Sequence, residues 1–153
     1  MDKEIHLDTC IEGIGAIFDN NIYQAKIPQK LKKFDICALE MLNILVALKV
    51  WHSHWQKKNV EIHCDNLAVV TVLQSEKTRD PTLAAISRNI FMLAAQFDIF
   101  LKISHVPGKQ NIVADLLSRW QNTDFCKNKL DSLVKNYKWN EIKEEYFQID
   151  WEM

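Results

Sequence analysis

The sequence predicts an α/β layered fold, a mixed five-stranded sheet with helices on both faces. Two observations carry that prediction. The N-terminal segments read as a strand and a hairpin, and two later strand segments are each reached through a helical crossover. At 153 residues the chain fits one domain, which can bury about two-thirds of its unfolded surface.

Taken in order, Ile5 to Asp8 opens an extended segment and Gly13 to Phe18 continues with strand character. Asp19-Asn20-Asn21 supplies residues that tolerate positive φ, and Ile22-Tyr23-Gln24-Ala25 resumes the strand, which makes a hairpin. Lys26 to Lys33 is a basic loop or short strand. Asp35 is a suitable N-cap for a long helix reaching about Trp55 through Leu39, Leu42, Leu45, Val46 and Val50. Val60 to Asp65 alternates apolar and polar residues and is a strand. A short helix follows at Leu67–Leu73, and Asp80-Pro81 opens another, with proline at its first position. Ile99 to Val106 is the fifth strand, Pro107-Gly108 a turn, and Asn111 caps a last core helix through Ala114, Leu116 and Leu117.

Composition narrows the class. The chain is 48% hydrophobic and 25% charged, as in an ordinary globular protein. No uninterrupted apolar run reaches the roughly 18 residues of a membrane span, and the N-terminus lacks the features of a signal or transit peptide. An intracellular protein with no membrane partner is the default expectation, cytoplasmic and nuclear sites being indistinguishable. Cys10, Cys37, Cys64 and Cys126 form no CxxC pair, so reduced thiols are expected rather than a zinc site or disulfide framework. A net charge of −1 gives little grip on nucleic acid by itself. Residues 1–120 carry 14 Lys and Arg against 13 Asp and Glu, a net of +1. Neutralising four of those acids with metal would leave about +5 facing a phosphate backbone.

Four acids sit where carboxylates are uncomfortable. Glu40 shares a helix face with Ile36, Ile44 and Ala47, and an isolated buried charge there is very costly. Asp8 and Asp65 end hydrophobic strand segments, where ligand sites gather in such sheets. Asp115 lies in the first turn or so of a helix, near the positive end of its dipole. Brought together without a cation, the four would raise one another's pKa values. All-carboxylate ligation suits Mg²⁺ or Mn²⁺ rather than Zn²⁺, and a pair of such ions can activate a water and grip a scissile phosphate. Taken singly, each acid is equally well read as serving a local structural role.

Four segments in order resemble the ribonuclease H family. They are Leu7-Asp8-Thr9-Cys10 with Gly13-Ile14-Gly15-Ala16; Ala38-Leu39-Glu40; His63-Cys64-Asp65-Asn66; and Asn111 to Arg119. The last two look like the retrotransposon branch, in the style of the domain that follows a reverse transcriptase. With Leu39-Glu40-Met41 and Arg119-Trp120 the match is most similar to DIRS-like elements. It covers roughly residues 4–120, which makes 1–120 the expected domain and 121–153 a C-terminal helical tail.

The resemblance implies an endoribonuclease that cuts the RNA strand of RNA/DNA hybrids with two Mg²⁺ ions, Mn²⁺ serving as substitute. Asp8, Glu40, Asp65 and Asp115 match the family's metal-binding quartet. Asp8 is expected to bridge both ions, Asp115 to help hold the one that activates water, and Glu40 with Asp65 the one on the leaving-group side. Substrate contacts are implied at Gly15, Asn66, Lys109 and Asn111, with Glu40 near the RNA 2′-hydroxyl and products ending in a 5′-phosphate and a 3′-hydroxyl. A reverse transcriptase polymerase domain, absent from these residues, is the implied partner, and a monomer the expected state.

The chain departs from the family at two places. The mobile histidine that many members carry before the last aspartate falls near Lys109 here, while His105 lies earlier on a strand. A basic helical handle between Asp65 and Asp115 is missing. In the tail, Leu130, Leu133, Val134 and Tyr137 have helical spacing, as do Trp139, Ile142 and Tyr146, so a helix packed back on the domain is expected. Two other readings stand beside the nuclease: a catalytically weak scaffold of the same fold, and an integrase or transposase. The latter lacks an acid at the Glu40 position and ends its set in a glutamate on the last helix.

Overall fold

The computed structural model describes residues 2–107, 112–118 and 135–152. Strands β1 (Lys3–Thr9), β2 (Gly13–Phe18) and β3 (Asn21–Lys26) form an antiparallel meander. Its second reversal, at β2–β3, uses Asp19 at φ 50°, a conformation Asp tolerates better than most residues. A 3₁₀ turn at Gln29–Leu31 leads to α1 (Ile36–Trp55). Asp35 caps α1 by accepting from the Ala38 amide at 2.9 Å. Then come β4 (Asn59–Cys64), α2 (Leu67–Ser75), α3 (Pro81–Gln96), β5 (Phe100–His105) and α4 (Ile112–Ser118). Asp80 caps α3 through the Thr82 and Leu83 amides, and Pro81 sits at the first helical position, where no amide hydrogen is needed.

With a short sixth strand, β6 (Lys138–Trp139), at the edge, the sheet order is β5-β4-β1-β2-β3-β6, with β4 parallel to β1 and β5 parallel to β4. Strand residues alternate between faces. On one face Ile5, Leu7, Ile14, Ala16 and Phe18 are buried in the core with α1. There Phe18 meets Trp51 at 5.4 Å and Trp55 at 5.5 Å between ring centroids, and Tyr23 meets Trp51 at 5.1 Å. On the other face α4 covers β2 at Gly15. Helix α1 is long and apolar enough to cross a membrane by length and composition alone. Its burial between the sheet and α3 accounts for that composition, since a helix surrounded by protein is apolar nearly all round.

Two expectations are corrected. The sheet has six strands, not five, because Lys138–Trp139 adds β6 beside β3. The same segment, with the residues after it, is not helical: it contains β6 and a 3₁₀ turn at Glu144–Phe147. The apolar spacing there does match a helical period. The exposed edge of β3 nevertheless supplies backbone partners that no local pattern reveals, the Lys138 amide donating to Asn20 O at 2.7 Å and the Asn140 amide to Ile22 O at 2.8 Å. Phe147 then enters the core, and Lys49 of α1 donates to the Gln148 carbonyl at 2.6 Å. Leu130, Leu133 and Val134 lie outside the described residues.

Candidate active site

The C-terminal ends of β1 and β4 point the same way because the two strands are parallel. That places Asp8, near the end of β1, close to Asp65, the residue after β4. Glu40, just over one turn into α1, approaches the same point from the core side and is 1% exposed. Asp115 arrives from the opposite side of the sheet on α4. The Asp8 carboxyl shares hydrogen bonds with both Asp115 and Asp65 and feels the charge of Glu40. Oxygens of Glu40 and Asp65 and the Cys64 sulfur all lie within 4.8 Å of one another. The four acids therefore converge on one spot.

Their electrostatics follow from that crowding. Burial, then the neighbouring Glu40 charge, pushes the Asp8 pKa up to about 9. Burial pushes Glu40 up to about 8 and the Asp65 charge adds to it, against hydrogen bonds from Thr9 and Cys64 that favour the ionised form. Nearby cations would move these groups the other way. The Cys64 thiol is raised by burial and by Glu40, so it stays protonated and donates to Glu40 Oε1 at 3.4 Å. What remains as ligand is an all-oxygen set of carboxylates, the donor chemistry that fits a hard divalent cation.

The supporting residues are less evident in the sequence. Asn43, three residues after Glu40 on α1, is fully buried. Its Nδ2 donates to Asp8 O at 3.0 Å, Thr9 Oγ1 at 3.2 Å and Gly15 O at 3.2 Å, while its Oδ1 accepts from the buried Tyr23 hydroxyl. This one amide ties α1 to the ends of β1 and β2 and so fixes the backbone that carries Asp8. Ser118, three residues after Asp115, donates to Asp8 Oδ2 at 3.3 Å and to Asp115 O at 2.8 Å. Asn43 was detectable as a polar residue on an apolar helix, and Ser118 as a small polar residue one turn beyond an acid. Neither pattern alone distinguishes a positioning role from a surface one.

Two of the residues expected to touch substrate also have structural roles. Gly15 is buried beneath α4: a Cβ there would stand 2.3 Å from Leu117 Cβ and 2.7 Å from Ser118 N. Its missing side chain lets α4 come close enough to present Asp115 and Ser118. Asn66 Oδ1 caps α2 by accepting from the Val69 amide at 3.2 Å, and its Nδ2 donates to Cys37 Sγ at 3.7 Å. Lys109 and Asn111 lie outside the described residues. His105 is exposed at the end of β5. His52 stacks on Phe97 while His54 meets Phe18 edge-on, so the two are apart as their spacing suggests.

A family model described as reverse transcriptase-like matches residues 14–121. The chain belongs to the reverse transcriptase-like family. Two solved structures share the fold of this reverse transcriptase-like chain. Ribonuclease H1 from the halophilic archaeon Halobacterium salinarum NRC-1 is 21% identical, with a TM-score of 0.61 over 75% of this chain and 92% of that one. The LC11 ribonuclease H1 isolated from compost by a metagenomic approach is 19% identical, with a TM-score of 0.55 over 76% and 93%. The fold expected from the motifs is thus the observed one, a ribonuclease H fold. No curated protein sequence matches this chain.

Proposed function

We propose that this chain is a ribonuclease H that hydrolyses the RNA strand of RNA/DNA hybrids within a retroelement reverse transcriptase. The observation that carries the proposal is the convergence of Asp8, Glu40, Asp65 and Asp115, two of them buried with raised pKa values, on the C-terminal ends of parallel strands. The family and the fold support it. In this reading the four carboxylates hold two Mg²⁺ ions. Such ions, when bound, supply an activated water and charge stabilisation at the scissile phosphate.

The chain's own residues do the positioning. Asn43 pins the β1 backbone at Asp8 and Thr9, and Ser118 orients the Asp8 carboxylate against α4. Thr9 and Cys64 donate to Glu40, holding its oxygens toward Asp65. Binding of metal releases the protons that Asp8 and Glu40 otherwise keep. No acid is needed on the last helix beyond Asp115, and Glu40 is present, which favours this reading over an integrase or transposase.

The test is cleavage of a labelled RNA/DNA hybrid with Mg²⁺, beside duplex DNA and duplex RNA, with Asp65→Asn as control. The hybrid alone should be cut, leaving 5′-phosphates, and the variant should lose at least ~100-fold in rate. Equal cutting of all three duplexes, or full activity in the variant, refutes the proposal. A folded chain that binds Mg²⁺ and cuts nothing would establish the scaffold reading.

A further inference from the structure

A second group of ligand atoms lies on the β1–β4 pair, upstream of the quartet's Asp8 and Asp65 along the same strands. The parallel register sets Glu4 beside Glu61 and His6 beside His63. All four residues share one face, because each pair is separated by two positions along its strand. Like charges directly abreast on neighbouring strands destabilise a sheet, so the Glu4–Glu61 pairing calls for a positive centre.

The positions of the surrounding groups also fit ligands around one shared ion. His63 Nε2 is 3.5 Å from Glu4 Oε1 and 3.7 Å from Glu61 Oε1. The edge of a tetrahedron built on zinc bonds of ~2.0–2.1 Å is ~3.3–3.4 Å, so these separations are nearly those of ligands sharing one ion. The other Glu61 oxygen is already engaged, accepting from Ser104 Oγ at 2.5 Å with Lys102 Nζ at 3.7 Å. Oε1 is left for His63. The His6 ring stacks on His63 at 4.4 Å with 12° between planes and holds that imidazole in orientation. Glu61 and His63 are largely shielded while Glu4 is 62% exposed, so the fourth position faces solvent.

We propose that Glu4, Glu61 and His63 form a binding site for a borderline divalent metal of the zinc class, separate from the carboxylate quartet and clamping β1 to β4. One imidazole and two carboxylates suit Zn²⁺, whereas the quartet's carboxylates alone suit Mg²⁺. Glu4 lies four residues upstream of Asp8 on β1, and Glu61 and His63 lie four and two residues upstream of Asp65 on β4, so the clamp steadies the two strands that carry those acids. It does not depend on the nuclease reading.

The test is zinc binding by equilibrium dialysis in excess millimolar Mg²⁺, which competes for the carboxylate quartet, for the full chain and for His63→Gln, Glu4→Gln and Asp65→Asn. One Zn²⁺ per chain is expected, weakened in the first two variants by more than the ~10–100-fold that losing an outer-shell partner costs, and kept in Asp65→Asn. Nitrogen NMR should show the His63 Nε2 resonance move on adding one equivalent of zinc. Glu4 is exposed enough for its substitution to leave folding intact, which a circular dichroism melt checks. Zinc bound equally by His63→Gln and Glu4→Gln, zinc lost in Asp65→Asn, or an Nε2 resonance that ignores zinc overturns the proposal in favour of a plain imidazolium–carboxylate pairing.

Discussion

Gly15→Ala adds a single methyl group at the point where α4 meets the sheet. The new Cβ would lie 2.3 Å from Leu117 Cβ, 2.7 Å from Ser118 N and 2.9 Å from Ala114 O. Carbon atoms in contact settle at ~3.5–4.0 Å, so the helix must retreat by about 1.2 Å. Two of the three atoms met are backbone and the third is a Cβ, so no side-chain rotation relieves the clash. Overpacking of this kind costs about 1–3 kcal/mol. The displaced helix carries Asp115 and Ser118, both bonded to Asp8, and a misplacement of ~1 Å at a reacting centre can cost ~100-fold in rate. Urea unfolding and hybrid cleavage should therefore both change, with the activity loss far larger than the unfolded fraction explains. A variant with wild-type stability and wild-type cleavage would refute the account of Gly15 as the residue that lets α4 approach.

Further outcomes follow from the same geometry. Asp8 and Glu40 have folded-state pKa values of about 9 and 8, above their unfolded values of ~4. The folded, metal-free chain thus keeps protons that the unfolded chain has released. This contribution to stability is complete below about pH 4 and is lost as pH rises through 8 to 9, so melting in a chelator should fall across that window, and a flat profile would contradict the raised pKa values. Mg²⁺ at 100-fold over its Kd should add about 2.7 kcal/mol, with the protection growing as pH rises; unchanged melting would count against a metal site. Tyr23→Phe leaves the buried Asn43 Oδ1 without the hydroxyl that donates to it, at a cost of about 1–3 kcal/mol. Cleavage should drop alongside, and a neutral variant would show that Asn43 is held without Tyr23. Phe147→Ala should destabilise by about 3–5 kcal/mol in urea titration, because Phe147 is core rather than tail; a loss under ~1 kcal/mol would detach the C-terminal segment from the domain.

The element order was legible because each signal is local. Asp35 and Asp80 cap helices that begin where their side chains reach the next amides, and strand alternation through Val60 to Cys64 reports one buried face. Glu40 stood out because a carboxylate within an apolar helix face has few alternatives to a partner. Asn43 and Ser118 stayed hidden for the opposite reason: their partners lie 35 residues away on β1 and 110 residues away at Asp8, and spacing says nothing about such separations. The helical spacing of Trp139, Ile142 and Tyr146 misled because the free edge of β3 competes for that backbone.

By itself, then, the order of residues determined the secondary structure of 3–105, the identity of the four acids and the family they resemble. Convergence of those acids was decided only when β4 paired parallel to β1 and α4 settled on Gly15, since proximity across the fold depends on strand register and helix packing. The tertiary structure also gave Gly15 and Asn66 structural roles, one beneath α4 and one capping α2, and drew residues 138–147 into the sheet and core. Backbone hydrogen bonds at a sheet edge, and the space left by a missing Cβ, belong to pairs of distant segments and have no imprint in either segment alone.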